Sequence, residues 1–131
     1  MIVVDTNVLA YLLLPSEFSA QADVLFKRDA DWSAPILWRG EFRNLLAGYL
    51  RRKSLTFDEA LRVQAEAEAI LTGNEYEVDS RRVLELVRES NCSAYDCEFI
   101  ALAVRLGTKV VTMDGKMLKE FPQHTRALSE G

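Results

Sequence analysis

Ile2-Val3-Val4-Asp5-Thr6-Asn7 is the stretch from which the fold can be predicted. Its β-branched beginning, Ile2–Val4, predicts a short strand that is buried on both faces, as in a parallel α/β sheet. The polar residues that follow lie at the carboxyl end of this strand, which is the edge where open parallel sheets bind ligands. Asp5 is therefore a candidate site residue. Because Asp and Thr are preferred helix N-caps, a purely capping role for Asp5 or Thr6 is equally compatible with this stretch alone.

The same pattern returns near the other end of the sequence, where residues 109–112 predict a second buried strand and Asp114 follows it. Between the two, helices are predicted over residues 8–14, 16–28, 36–53, 56–71, from 79 onward and over 93–106. Short extended segments are predicted at 32–34, 75–78 and 125–127. Leu45 and Tyr95 are assigned to the apolar faces of their helices. Alternating strands and helices predict a parallel sheet wrapped on both faces, in a single domain spanning residues 1–131.

Composition is that of an ordinary soluble domain, with 49% hydrophobic and 27% charged residues. The net charge of −4 does not by itself indicate nucleic-acid binding. Positively charged residues cluster at 27–28, 51–53 and 81–82. Arginines there are suited to binding phosphate groups. The alternative is that positive charges at helix ends stabilise the helix dipole. Because the sequence contains only Cys92 and Cys97, we do not expect a disulfide framework. We expect a reducing, cytoplasmic setting instead. The apolar start of the chain is too short and too polar for a membrane or targeting segment.

Two further carboxylates lie where packing does not require them. Glu41 is at the edge of the apolar face of its predicted helix, one turn before Leu45. A charge there usually has a partner, so a salt bridge to a base such as Arg52 is the structural alternative to a site role. Asp96 follows Ser93 at the spacing of a capping box, but with Asp in place of the usual Glu. The shorter side chain reaches back less well, which leaves capping and site roles both open.

If the fold brings these four carboxylates together, they repel one another strongly. Two unit charges about 4 Å apart cost about 4 kcal/mol at an effective dielectric of about 20. A cation offsets that cost, and oxygen ligands without His or Cys favour Mg²⁺ or Mn²⁺ over zinc. Such an ion suits phosphodiester hydrolysis, and the sequence contains neither an evident Ser/His or Cys/His nucleophile pair nor a Gly-rich phosphate loop.

The ordered set of motifs at 3–7, at Pro35 with 41–45, at 93–96 and at 110–118 resembles the PIN-domain ribonucleases, and within them the VapC-type toxins of toxin–antitoxin pairs. The resemblance covers essentially the whole chain. It implies a three-layer α/β/α sandwich with a central, mostly parallel sheet, and metal-dependent cleavage of RNA. By position it implies an acidic metal site of Asp5, Glu41, Asp96 and Asp114. Thr6, Asn7, Ser93 and Thr112 would be the hydrogen-bonding neighbours of that site.

Two partners are also implied by the resemblance alone. These are a second copy of the chain, forming a homodimer, and an antitoxin whose tail enters the acidic groove, often with an arginine. Two alternatives remain open at this point: a PIN-domain nuclease of RNA processing without an antitoxin, and a non-catalytic PIN-like dimerisation module. A phosphatase with Asp5 as nucleophile is disfavoured, because no second Asp stands two residues after it.

Overall fold

Five short strands form one all-parallel sheet in the computed structural model, which describes residues 1–130. The strands are β1 (Ile2–Val4), β2 (Trp32–Pro35), β3 (Glu75–Tyr76), β4 (Val110–Thr112) and β5 (Thr125–Ala127). Their spatial order is β3-β2-β1-β4-β5, and every neighbouring pair is parallel. The predicted α/β class and parallel sheet are therefore confirmed.

The strand order reverses beside β1. From β1 the chain builds β2 and β3 on one side and then returns to place β4 and β5 on the other. Such a switch point opens a crevice at the carboxyl ends of the two central strands. Val4 is level with Val111 in the sheet, so Asp5 and Thr112 are neighbours where β1 and β4 end.

Seven α-helices surround this sheet within the described residues. They are α1 (Thr6–Leu13), α2 (Ser19–Arg28), α3 (Trp38–Arg51), α4 (Phe57–Ile70), α5 (Ser80–Arg88), α6 (Ala94–Leu106) and α7 (Gly115–Glu120), and a 3₁₀ turn (Leu128–Glu130) follows β5. Successive residues of a strand point to opposite faces, and all three residues of β1 and of β4 are buried. Helices therefore cover both faces of the sheet, which gives the three layers.

The helix ends follow the local sequence signals closely. Thr56 and Glu59 form the predicted capping box of α4, and Asp79 caps α5 through the amide of Arg82. Gly107 ends α6 with a φ of 70°, a left-handed conformation that glycine adopts without the steric cost of a Cβ. Both cysteines are buried free thiols, as expected. None of the helices described in residues 1–130 is long and apolar enough to cross a membrane.

Several local predictions were wrong. Helix α2 begins at Ser19 rather than 16, because Ser16 instead forms a hydrogen-bonded turn with Ser19. Helix α3 is shorter than predicted, and α7 was not predicted at all. Tyr95 is 64% exposed rather than buried. Leu45 is only half-buried, because the face it shares with Glu41 looks into a cavity rather than the core.

Candidate active site

A cavity of about 240 Å³ opens at the carboxyl ends of β1 and β4, at the switch point of the sheet. All four predicted carboxylates line it, together with polar and apolar neighbours. The lining residues are Asp5, Thr6, Asn7, Glu41, Asn44, Leu45, Asp96 and Asp114. Four segments that are distant in sequence thus meet at one acidic cavity.

Asp5 occupies the N-cap position of α1, but its side chain makes no capping hydrogen bond. One of its oxygens, Oδ2, accepts instead from the hydroxyl of Thr112, at 2.8 Å. The parallel register of β1 and β4 places these two residues side by side. The capping alternative for the Asp5 side chain is therefore excluded in this structure, and the carboxylate is held toward β4.

Glu41 is the acidic residue in the first turn of α3. Its Oε1 accepts from the hydroxyl of Thr6 at 2.7 Å, which links the start of α3 to the start of α1. Among the described residues no base lies within salt-bridge distance of Glu41, so pairing with Arg52 is not observed. The half-buried carboxylate lies at the acidic cavity without a compensating cation.

Asp96 forms only one half of a capping box. The hydroxyl of Ser93 accepts from the Asp96 amide at 3.1 Å, as an N-cap does. The complete capping box of α4, in which the Thr56 amide donates to Glu59 at 2.8 Å, has no full counterpart in α6. Ser93 still lies close enough to the Asp96 carboxyl group to oppose the rise in its pKa. The shorter aspartate side chain therefore remains available to the cavity.

Asp114 has a structural role as well as a place in the cavity. It is the N-cap of α7, and its Oδ1 accepts from the amides of Lys116 and Met117 at 2.9 and 3.1 Å. Its own amide donates to the hydroxyl of Thr112 at 2.9 Å. Both capping bonds use Oδ1, and within residues 1–130 the second oxygen makes no hydrogen bond.

The cavity disfavours negative charge. Burial is the main cause that raises the pKa of Asp5, and the carboxylates of Asp96 and Asp114 raise it further against the opposing hydrogen bond from Thr112. The pKa of Glu41 is raised by burial first, and then by nearby carboxylates. Burial and the charge of Asp114 likewise raise the pKa of Asp96. Three of the four carboxyl groups thus lie in surroundings that a cation would relieve.

The donor set at the cavity fits a hard divalent ion in its chemistry. Carboxylate and amide oxygens line it, with neither sulfur nor imidazole nitrogen. In their present rotamers, no three His, Cys, Asp or Glu side chains of residues 1–130 are arranged to hold an ion together. The hydrogen bonds explain this arrangement, because Asp5, Glu41 and Asp114 each turn an oxygen toward a donor of the protein.

The cavity contains six of the eight residues predicted for the site. Ser93 and Thr112 are not part of its lining, and each acts behind it through a hydrogen bond to Asp96 or Asp5. Asn44 and Leu45 line the cavity but were not among the predicted site residues. Their signal was available, because positions three and four after Glu41 share its side of a helix.

Comparison with known proteins gives a consistent result. The PIN domain family matches residues 2–122. The chain is 28% identical over 124 residues to Ribonuclease VapC3 of Pyrobaculum aerophilum, covering 92% of this chain and 95% of that protein. The structure of FitAcB from Neisseria gonorrhoeae superposes with a TM-score of 0.79 at 16% identity and full coverage of both chains. A toxin–antitoxin complex from Klebsiella pneumoniae gives a TM-score of 0.72 at 14% identity, with 98% of each chain covered.

Proposed function

This chain belongs to the PIN domain family, and on that premise we propose that it is an endoribonuclease, dependent on Mg²⁺ or Mn²⁺, and the toxin of a toxin–antitoxin pair. The observation that carries the proposal is the convergence of Asp5, Glu41, Asp96 and Asp114 on one cavity at the switch point of the sheet. The similarity to Ribonuclease VapC3 supports the same activity. RNA is accordingly the proposed substrate.

The four carboxylates are the proposed ligands of the ion. When bound there, a divalent ion supplies Lewis-acid activation of water and stabilises the charge that develops on the leaving oxygen. Thr112 and Thr6 fix the directions of Asp5 and Glu41 through the hydrogen bonds described above. The exposed side-chain amides of Asn7 and Asn44 can donate to oxygens of the phosphodiester at the mouth of the cavity.

Two protein partners complete the proposal. One is a cognate antitoxin that inserts a cationic side chain into the acidic cavity, since no Lys or Arg of the described residues lines it. The toxin–antitoxin complex among the similar structures supports a partner of this kind. The other is a second copy of this chain, as the family resemblance implies. Light scattering of the purified protein measures whether it forms this homodimer.

The test of the activity is cleavage of total RNA by the purified protein, with sequencing of the products. We expect cleavage in Mg²⁺ or Mn²⁺, none in EDTA, and recovery when the ion is restored. Asp5→Asn and Asp96→Asn should each lower the rate by about two orders of magnitude or more, the scale of losing a preorganised electrostatic element. Asp58→Asn is the matched control, because Asp58 is an exposed aspartate in the first turn of α4, outside the cavity.

Three results would each contradict part of the proposal. Full activity in EDTA would exclude the metal-dependent mechanism. Complete inactivity on RNA, together with no response of the melting temperature to Mg²⁺ or Mn²⁺, would instead favour a non-catalytic dimerisation module. If the protein cleaves RNA but its gene has no neighbouring gene for a small DNA-binding protein, the nuclease activity would stand and the proposed antitoxin would be excluded.

A further inference from the structure

A second concave surface adjoins the acidic cavity. This groove, of about 500 Å³, shares Glu41 and Asn44 with the cavity and extends from them past Arg43 to Tyr95 and Ile36. Its volume falls in the range of small-ligand sites, roughly 300–1,000 Å³. A ligand that reaches into the acidic cavity therefore continues directly into the groove.

Tyr95 is one of the exposed large hydrophobic residues within the described chain. Its ring is 64% exposed at one wall of the groove, although the helical pattern of α6 predicts it on the buried face. Its neighbour in sequence, Asp96, lines the acidic cavity. The first turn of α6 thus presents a carboxylate to one concavity and an aromatic ring to the adjoining one. An exposed aromatic ring offers a face on which any nucleobase can stack.

Arg43 supplies a positive charge in the same groove. It lies on α3 two residues after Glu41, and its side chain is exposed. No carboxylate of the described residues lies within salt-bridge distance of it. Its Nη2 would be 4.0 Å from a Cβ placed on Gly40, so the guanidinium lies along the surface of α3 within the groove. A planar guanidinium without a carboxylate partner is suited to a phosphate.

We propose that this groove binds a nucleotide of single-stranded RNA next to the scissile phosphate, with its base stacked on Tyr95 and its phosphate on Arg43. The inference rests on the proposed ribonuclease function and adds a subsite to it. Ile36, which is 51% exposed, gives the base an apolar edge to contact. Because stacking accepts every base, the groove contributes affinity and position more than sequence preference.

The test measures RNA binding separately from cleavage. Binding of a short fluorescein-labelled RNA of random sequence is followed by fluorescence anisotropy in Mg²⁺, using the full chain carrying Asp5→Asn to block cleavage. Adding Tyr95→Ala should weaken binding about tenfold, whereas Tyr95→Phe, which keeps the ring, should stay within about twofold of the parent. Phe57→Ala is the control, because Phe57 is 66% exposed on α4 but does not line the groove. Arg43→Ala should reduce the salt slope of binding by about one.

Each other outcome has a definite meaning. Equal affinities for Tyr95→Ala and Phe57→Ala, with an unchanged slope for Arg43→Ala, would overturn the groove while leaving the nuclease proposal intact. If the wild type does not cleave RNA but RNA binding still depends on Tyr95, the nuclease proposal would be overturned and the binding role of the groove would stand. No binding by the parent would overturn the groove outright. A lower mass of Tyr95→Ala in sedimentation would show that Tyr95 is a contact between copies, and would overturn the inference too.

Discussion

At the scale of single residues, Thr112 links the carboxylate of Asp5 to the backbone of Asp114 through one hydroxyl group. It donates to Asp5 at 2.8 Å and accepts from the amide of Asp114 at 2.9 Å. The residue is fully buried, so water is not available to replace either partner. The Thr112 hydroxyl therefore holds the carboxylate of Asp5 and the backbone of Asp114 in a fixed relative position.

The isosteric change Thr112→Val should therefore affect both stability and the site. We expect a loss of about 1–3 kcal/mol in the free energy of unfolding, since the amide of Asp114 loses its partner. The stabilisation by Mg²⁺ or Mn²⁺ should also decrease, because Asp5 is no longer oriented. Thr125→Val is the control, because the hydroxyl of Thr125 donates at 2.8 Å to a carbonyl oxygen away from the cavity. Urea unfolding with and without metal measures both effects, and equal metal responses in the two variants would refute the positioning role.

Asp96 provides a second residue-scale prediction. Its carboxylate completes no capping box and stands near the charge of Asp114. Asp96→Asn should accordingly raise the metal-free melting temperature, or at least not lower it, because repulsion is removed. Loss of a needed cap would instead cost about 0.5–1 kcal/mol. Differential scanning fluorimetry of the metal-free protein distinguishes the two.

The same experiment with metal tests the site directly. At a free ion concentration about ten times the dissociation constant, linkage stabilises the wild type by roughly 1.4 kcal/mol, or about 5 °C for a domain of this size. The Asp96→Asn protein should gain much less. Equal and near-zero shifts for both proteins, with a lower melting temperature for the variant, would identify Asp96 as a cap and exclude it from the site.

At the scale of elements, the position of Glu41 depends on how α3 is anchored at its start. Trp38 and Arg39, in the first turn of α3, both bind Glu75 of β3, Trp38 at 2.8 Å and Arg39 through two bonds of 2.7 Å. Arg39 also reaches Glu68 of α4 at 3.1 Å. These interactions fix the beginning of α3 against the edge of the sheet, less than a turn before Glu41.

Glu75→Gln should destabilise the protein at pH 7, because Arg39 loses its charged partner. The hydrogen bonds from Arg39 hold the pKa of Glu75 below its ordinary value. A lowered pKa means that the stabilisation is fully present above the ordinary value near 4.5, and is lost as the pH falls through the lower value of the folded state. The difference between wild type and variant should therefore be constant above about pH 5 and shrink below about pH 4.5.

Glu85→Gln provides the control for this series. Glu85 faces Arg81 and Arg82 at 3.9 and 3.8 Å on the surface of α5, where ion pairs contribute little. We expect a change of at most about 0.5 kcal/mol at any pH. Urea unfolding across the pH range measures both variants, and a Glu75→Gln effect as small as that of Glu85→Gln would show that the anchor is not needed.

At the scale of the whole molecule, the acidic cavity and the arginines at the end of α3 lie apart. The net charge is −4, and within the described residues the acidic cavity has no Lys or Arg in its lining. Arg51 and Arg52 lie at the far end of α3 from Glu41, roughly 15 Å along the helix at about 1.5 Å per residue. Arg52 stands over the ring of Tyr49 at 4.9 Å, and both arginines are surface residues without an acidic partner among those described. An extended RNA passing through the cavity could reach this end of α3.

RNA affinity should therefore fall steeply with salt concentration, and Arg51→Ala with Arg52→Ala should reduce the slope by about one for each phosphate that these arginines bind. Arg81→Ala with Arg82→Ala is the matched control, because those guanidinium groups already face Glu85. Anisotropy titrations at several salt concentrations measure the slopes. An unchanged slope for the variant lacking Arg51 and Arg52 would indicate that these residues stabilise the helix dipole and do not bind phosphate.

The sequence by itself predicted the four carboxylates and most of the elements, although not α7. Strand β1, the capping box of α4 and the glycine that ends α6 depend on neighbours within a few residues, so local spacing specifies them. The ordered motifs predicted six of the eight residues that line the cavity. For Asp5 and Asp114 the reason is that parallel strands end at one edge of a sheet.

Only the tertiary structure decided which sides of the helices are covered and which donors the carboxylates meet. The pattern of α6 could not show that Tyr95 faces solvent, because helical periodicity gives a face but not the element that packs on it. The capping potential of Asp5 was local, yet its carboxylate turns to Thr112, 107 positions away, since the register of β1 and β4 makes them neighbours. Interactions between segments distant in sequence are set by the packing of the whole chain, and that packing brought four separate carboxylates to the lining of one cavity.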